Sequence, residues 1–216
     1  MSHLRVKICG VTTPADAALV AELGADAVGL NFYPRSPRCV TPEAAADVLG
    51  ALPPFVEPVA LFVEEPPLVA AYRLGALPRV RTVQWHGAEP EPADAWGGAL
   101  IVAFPVRDAA DLAKVTAYVE RCRVRGRLPA AVLVDAHVAG LHGGTGRTAP
   151  WRLLADFRPG VPLILAGGLT PDNVAEAVRV VRPYAVDVAS GVESAPGRKD
   201  AEKLRRFIAA ARGAAP

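Results

Sequence analysis

Eight short apolar runs, dealt along the chain between alanine-rich helical stretches, constrain this sequence more than any other feature. They are RVKIC (5–9), DAVGLNF (26–32), EPVALFV (57–63), VRTVQW (80–85), ALIVAF (99–104), AAVLVD (130–135), PLILAG (162–167) and AVDVAS (185–190). Apolar strands that alternate with helices mark βα units and a parallel sheet covered by helices. Eight units within 216 residues match a compact α/β fold, a single (β/α)8 TIM barrel whose one domain spans 1–216. An open doubly wound sheet is the alternative, but it would normally carry GxGxxG after its first strand, where this chain reads CGVTTP.

The spacing predicts helices over Pro14–Leu23, Pro42–Leu49, Pro66–Leu74, Asp108–Arg123, Pro171–Val181 and Ala201–Ala211. Thr13-Pro14, Thr41-Pro42 and Thr170-Pro171 each set a capping hydroxyl before a proline at the first helical position. Gly24, Gly50 and Gly75 stand where the first three helices should stop. After the fourth strand AEPEPADAW is short and proline-rich, so the helix there is expected to be stunted or replaced by a turn.

Charge and cysteine content exclude several classes. With 24 basic against 22 acidic side chains the net charge is +2, without the basic footprint of a nucleic-acid binder. Cys9, Cys39 and Cys122 form no CxxC pair, which argues against a disulfide framework or thiolate zinc site and fits a reducing compartment. No uninterrupted apolar run approaches the ~20 residues of a membrane span, so the expectation is a soluble cytoplasmic protein. His3, His137 and His142 show no metal-ligand spacing, and no metal is expected.

In a barrel the working residues lie at the carboxyl ends of the strands. Cys9 ends the first strand, where cationic neighbours could lower its thiol and make it a base or nucleophile; the plain reading is a small buried hydrophobe, which also covers Cys39 and Cys122. Asp135 closes AAVLVD ahead of a glycine-rich loop, where apolar surroundings would favour the protonated acid; a helix cap or salt bridge is the alternative. Lys7 shares strand parity with Cys9, and Asp187 sits at matching depth on the eighth strand, so an interior pair with a structural role is expected.

The segments LHGGTGRT (141–148), AGGLTP (166–171) and ASGVES (189–194) follow strands six, seven and eight. Glycine turns at those places expose amides to an anion, as in the habitual phosphate site of this fold. Arg35 and Arg38 in YPRSPR could hold a carboxylate through a planar guanidinium, although most loop arginines are simply solvated. Gln84 and His86 share parity at the end of the fourth strand and could line the cup, with a hydrogen-bonded structural histidine as the alternative.

The residues KICG (7–10), GLNFYPRSPR (29–38), VQWHG (83–87), LVDA followed by GGTGR (133–147), LAGGLTPDNV (165–174) and VDVASGVESAPGRKD (186–200) occur in order over essentially the whole chain. In this the sequence closely resembles the phosphoribosylanthranilate isomerase family of tryptophan biosynthesis. The resemblance implies a cofactor-independent Amadori rearrangement with Cys9 as general base and Asp135 as general acid. It further implies that Arg38 contacts the anthranilate carboxylate, and that Gly144, Thr145, Gly146, Gly167, Gly168, Ser190 and Gly191 cradle the phosphate. The implied partner is the small phosphosugar-anthranilate substrate, with no nucleic acid and no membrane, and the chain would act as a monomer or homodimer.

The chain departs from the family pattern at Ala189, Arg147, Ala149-Pro150 and Trp85, which touches loop geometry rather than the acid or base. The nearest rival is indoleglycerol-phosphate synthase, which would need catalytic lysines near strand ends. Here only four lysines occur, with Lys7 alone expected on a strand. A phosphosugar-binding barrel without turnover is the non-enzymatic alternative.

Overall fold

A computed structural model describes residues 4–65, 67–87, 98–136 and 151–215. Eight parallel strands close on themselves in sequence order: β1 (Arg5–Cys9), β2 (Ala27–Asn31), β3 (Glu57–Val63), β4 (Thr82–His86), β5 (Ala99–Pro105), β6 (Ala131–Asp135), β7 (Leu163–Ala166) and β8 (Ala185–Val188). Around them run α1 (Pro14–Glu22), α2 (Pro42–Gly50), α3 (Pro67–Gly75), α4 (Ala109–Val124), α5 (Trp151–Leu154), α6 (Val174–Val181) and α7 (Ala201–Gly213). Every expected strand is present within a few residues of its expected bounds. The stretch 88–97, where a stunted helix was expected, lies outside the described residues.

Alternation along the strands divides the core in two. Outward side chains such as Ile8, Val28, Phe62, Val83, Val134 and Val186 pack beneath the helices. Inward ones such as Val59, Ile101, Leu133 and Ile164 fill the barrel. Burying one such side chain contributes about 1.5–3 kcal/mol. The inward positions of β1, β4 and β8 break this rule with Lys7, Gln84 and Asp187, all buried. A polar cluster inside a barrel needs partners, so these three residues mark where the interior is built for something other than packing.

Local signals set the helix starts. Thr13 Oγ1 accepts from the Asp16 amide and Thr41 Oγ1 from the Ala44 amide, each cap contributing about 1 kcal/mol. The third expected cap is corrected: α6 begins at Val174, and Asn173 Oδ1 instead accepts from the Thr170 amide at 2.8 Å. This Asx contact spends the first residues after Thr170 on a tight turn, so Thr170 has no helix to cap. Gly24 adopts φ +90 just past α1, whereas α2 and α3 end on Gly50 and Gly75 themselves.

Beyond β8 the chain makes a 3-10 turn (Ser190–Val192), then the antiparallel strands β9 (Glu193–Ala195) and β10 (Arg198–Lys199) before α7. This hairpin corrects the expectation that Lys7 would be the one strand lysine, because Lys199 lies on β10. Among the described residues, no helix is long and apolar enough to cross a membrane.

Candidate active site

The carboxyl ends of the strands open into a cavity of about 350 Å³. Its walls include Cys9 from β1, Arg38 from the loop after β2, Gln84 and His86 from β4, and Asp135 from β6. Gly167, Gly168, Ser190 and Gly191 complete it from the turns after β7 and β8. Seven of the ten residues expected at the site thus converge, although they span most of the chain. The other three, Gly144, Thr145 and Gly146, lie outside the described residues.

Cys9 is 6% exposed, and its surroundings are charged. Lys7 Nζ donates to Asp187 Oδ1 at 2.9 Å, across the seam where Lys7 pairs with Asp187 in the β1–β8 ladder. The interior pair expected from parity is therefore formed, and it sits directly under the cysteine. Gly29 on β2 makes the room: a Cβ there would fall 2.8 Å from Cys9 Sγ and 3.0 Å from Lys7 Nζ.

These neighbours pull the thiol in opposite directions. Burial pushes it up and Asp187 adds to that, while the ammonium groups of Lys7 and Lys199 pull it down. Burial wins, so the Cys9 thiol lies above its ordinary range. This corrects the expectation of a thiol lowered by cationic neighbours, because taking the thiolate out of water outweighs their attraction. Burial likewise opposes the ammonium of Lys7, but the Asp187 carboxylate and Cys9 together hold it above the ordinary lysine range.

Cys122 lies on the buried face of α4 as expected, but Cys39, in the loop after β2, is exposed. Among the described residues, no group of three or more His, Cys, Asp or Glu side chains could hold a metal ion.

Arg38 is delivered by a stiffened loop. Asn31, at the end of β2, accepts from the Tyr33 amide and donates to Ser36 Oγ, which accepts from the Arg38 amide. The guanidinium then grips Glu193 through both atoms of one edge, Nε to Oε1 at 2.8 Å and Nη2 to Oε2 at 2.6 Å. A ligand carboxylate would therefore meet the Nη1 side. Arg35, by contrast, is exposed.

Burial alone would raise the Glu193 carboxyl, but the hydrogen bonds from Arg38 and Lys199 prevail and hold it low. Sequence reasoning assigned no role to Glu193 or Lys199. Their signal was the PG turn between two oppositely charged residues in ESAPGRK, which is how a charged hairpin reads.

At the floor, Gln84 Nε2 lies 2.7 Å from His86 Nε2. Burial, first, and the Lys7 ammonium push the imidazole below its ordinary range, against the pull of the Asp187 and Asp135 carboxylates. Gln84 Oε1 is buried without a partner among the described residues. On the opposite wall Gly167 and Gly168 take φ of +92 and +65, a turn that side-chain-bearing residues rarely adopt. Asn173 Nδ2 fixes it by donating to the Gly168 carbonyl at 2.9 Å.

Comparison with known proteins gives this geometry its kin. Residues 6–210 match the family model described as N-(5'phosphoribosyl)anthranilate (PRA) isomerase. An N-(5'-phosphoribosyl)anthranilate isomerase of Geobacter sulfurreducens is 50% identical over 97% of this chain and 99% of its own length. The crystal structure of phosphoribosyl anthranilate isomerase from Thermotoga maritima superposes with a TM-score of 0.85 at 40% identity, covering 97% of this chain and 99% of that one. A phosphoribosyl anthranilate isomerase in complex with reduced 1-(o-carboxyphenylamino)-1-deoxyribulose 5-phosphate superposes with a TM-score of 0.83 at 38% identity, again covering 97% and 99%. Matched over nearly its whole length and at up to half its positions, the chain belongs to the phosphoribosylanthranilate isomerase family.

Proposed function

We infer that this chain converts N-(5'-phosphoribosyl)anthranilate to 1-(2-carboxyphenylamino)-1-deoxyribulose 5-phosphate, an aldose-to-ketose isomerisation in tryptophan biosynthesis. The observation that carries this reading is the meeting of Cys9, Arg38 and Asp135 with the two glycine turns around one cavity. A molecule with a carboxylate at one end and a phosphate at the other would span it.

Asp135 is half-buried at the end of β6 and acts as the general acid. It gives its proton to the furanose ring oxygen as the C1'–O bond breaks, and the anilino nitrogen lone pair forms the C1'=N iminium. That cation acidifies the C2' hydrogen, which the Cys9 thiolate removes. The C2'–H electrons become the C1'=C2' bond and the nitrogen is neutral again. Ketonisation adds a proton at C1' and releases the enol proton, so the overall proton count is unchanged.

An acid and a base must stand on different sides of the sugar, and the barrel separates them: two strands, β7 and β8, intervene between β6 and β1. Arg38 would orient the anthranilate carboxylate, while Gly167, Gly168, Ser190 and Gly191 would bind the phosphate together with Gly144, Thr145 and Gly146. Holding both ends supplies the positioning part of the rate acceleration.

The residues 1–216 act in this reading as one catalytic unit in the cytoplasm, as expected of a biosynthetic enzyme. Its assembly is a monomer or homodimer; one solved relative is described as generated monomers of the dimeric phosphoribosylanthranilate isomerase from Thermotoga maritima. The test is turnover of N-(5'-phosphoribosyl)anthranilate generated in place, followed by loss of its fluorescence. Turnover supports the reading, and tight binding without turnover overturns it in favour of a binding barrel.

A further inference from the structure

Between the proposed base and the proposed carboxylate anchor lies a buried ion cluster that no step of the isomerisation uses. The Lys199 side chain is 0% exposed, and its ammonium reaches three acceptors. These are the Cys9 carbonyl at 2.7 Å, the Ala189 carbonyl at 3.3 Å and Glu193 Oε1 at 2.9 Å. The ladder between β1 and β8 runs as far as Ile8 and Val188. The carbonyls of Cys9 and Ala189 are therefore the next pair beyond it, and Lys199 ties that end of the seam from above.

Glu193 extends the tie to the neighbouring loop. Its Oε1 is shared between Lys199 and Arg38 Nε, and its Oε2 takes Arg38 Nη2. Both acidic and basic members ride on the β9–β10 hairpin, which is itself fastened to the loop after β1 by Thr12 Oγ1 donating to the Gly197 carbonyl at 2.8 Å. One hairpin thus holds the strand end carrying the thiol, the guanidinium, and the residue that leads into the turn at Ser190.

Burying an ammonium is costly even when paired, and a neutral donor would suffice to tie two carbonyls. A charge at this point does something a neutral donor would not: it fixes Glu193, and Glu193 fixes the edge and direction of Arg38. We propose that Lys199 and Glu193 are positioning residues for the isomerisation, locking Arg38 and the Cys9 backbone into one frame so that a substrate held at its carboxylate arrives in register with the thiolate. This rests on the reading of Cys9 as base and Arg38 as anchor.

The test compares Lys199→Met, Glu193→Gln and Arg38→Met with wild type and with Cys9→Ala, all assayed well below their melting temperatures. A misplacement of about 1 Å can cost about 10²-fold, so Lys199→Met should lose about that factor in kcat and also raise KM several-fold. Glu193→Gln, similar in size, should lose at least tenfold in kcat/KM and carries the same test if Lys199→Met does not fold. Because Glu193 acts through Arg38, the double variant Glu193→Gln with Arg38→Met should lose much less than the product of the two single losses.

A purely structural pair gives lower melting temperatures with kcat and KM within twofold of wild type, and that result overturns the proposal. A fully multiplicative loss when Glu193→Gln is combined with Arg38→Met overturns it as well. If Cys9→Ala keeps turnover, the failure lies in the base assignment beneath the proposal; if Cys9→Ala and Arg38→Met are impaired while Lys199→Met and Glu193→Gln are not, the positioning claim alone has failed.

Discussion

Lys7 and Asp187 face each other inside the barrel, Nζ to Oδ1 at 2.9 Å, directly under the Cys9 thiol. The pair was expected to be structural, yet it also supplies an ammonium that favours the thiolate where burial disfavours it. Removing that ammonium must make the thiolate harder to form. Lys7→Met is therefore expected to move the acid limb of the kcat/KM profile to higher pH, since the limb follows Cys9 ionisation and the remaining Asp187 carboxylate pushes the same way. Adding Asp187→Asn removes that carboxylate and should bring the limb part of the way back. A limb that stays in place in Lys7→Met would show that Cys9 is not the group being titrated.

Gln84 Oε1 is a buried acceptor facing the cavity floor without a partner among the described residues. An unmet acceptor costs about 1–3 kcal/mol in the folded chain, and a substrate hydroxyl would satisfy it. Gln84→Leu should accordingly lose roughly tenfold in kcat/KM, the value of about one hydrogen bond, while relief of the unmet acceptor offsets the lost contact with His86 and leaves the melting temperature close to that of wild type. Calorimetry and steady-state kinetics on the same preparation check both halves; a large fall in melting temperature would assign Gln84 a structural role instead.

Gly29 is the small residue that lets Cys9 and Lys7 approach one another. A methyl at this place would press on both Cys9 Sγ and Lys7 Nζ. Gly29→Ala is expected to cost about 1–3 kcal/mol through overpacking and to lower kcat more than it raises KM, because the thiol moves and the carboxylate anchor does not. Denaturant melts and kinetics would show this, and unchanged kcat would mean that the thiol's position is not critical.

The barrel was legible in the sequence because each strand is a short apolar run bounded by turn residues, and the site because β1, β6 and β8 lead into Cys9, Asp135 and the ASGVES turn at the end where the cavity opens. Asp187 was legible through parity alone. Thr170 was misread, since a Thr-Pro step looks the same whether the threonine caps a helix or, as here, an asparagine three residues on closes a turn against its amide. The ionisation of Cys9 could not be read from residue types: it is a balance between desolvation and two lysines, one of them 190 residues away. The β9–β10 hairpin escaped because its strands are three and two residues long, too short for an alternating pattern.

The measurement that bears most directly on the account is single-turnover isomerisation by Cys9→Ala and Asp135→Asn beside wild type, with affinity for a reduced product analogue determined for all three. General acid or base catalysis typically contributes about 10²–10⁴-fold, so each variant should lose turnover on that scale while binding the analogue within a few-fold of wild type. Turnover within tenfold of wild type in either variant would contradict the assignment of base and acid to these two residues.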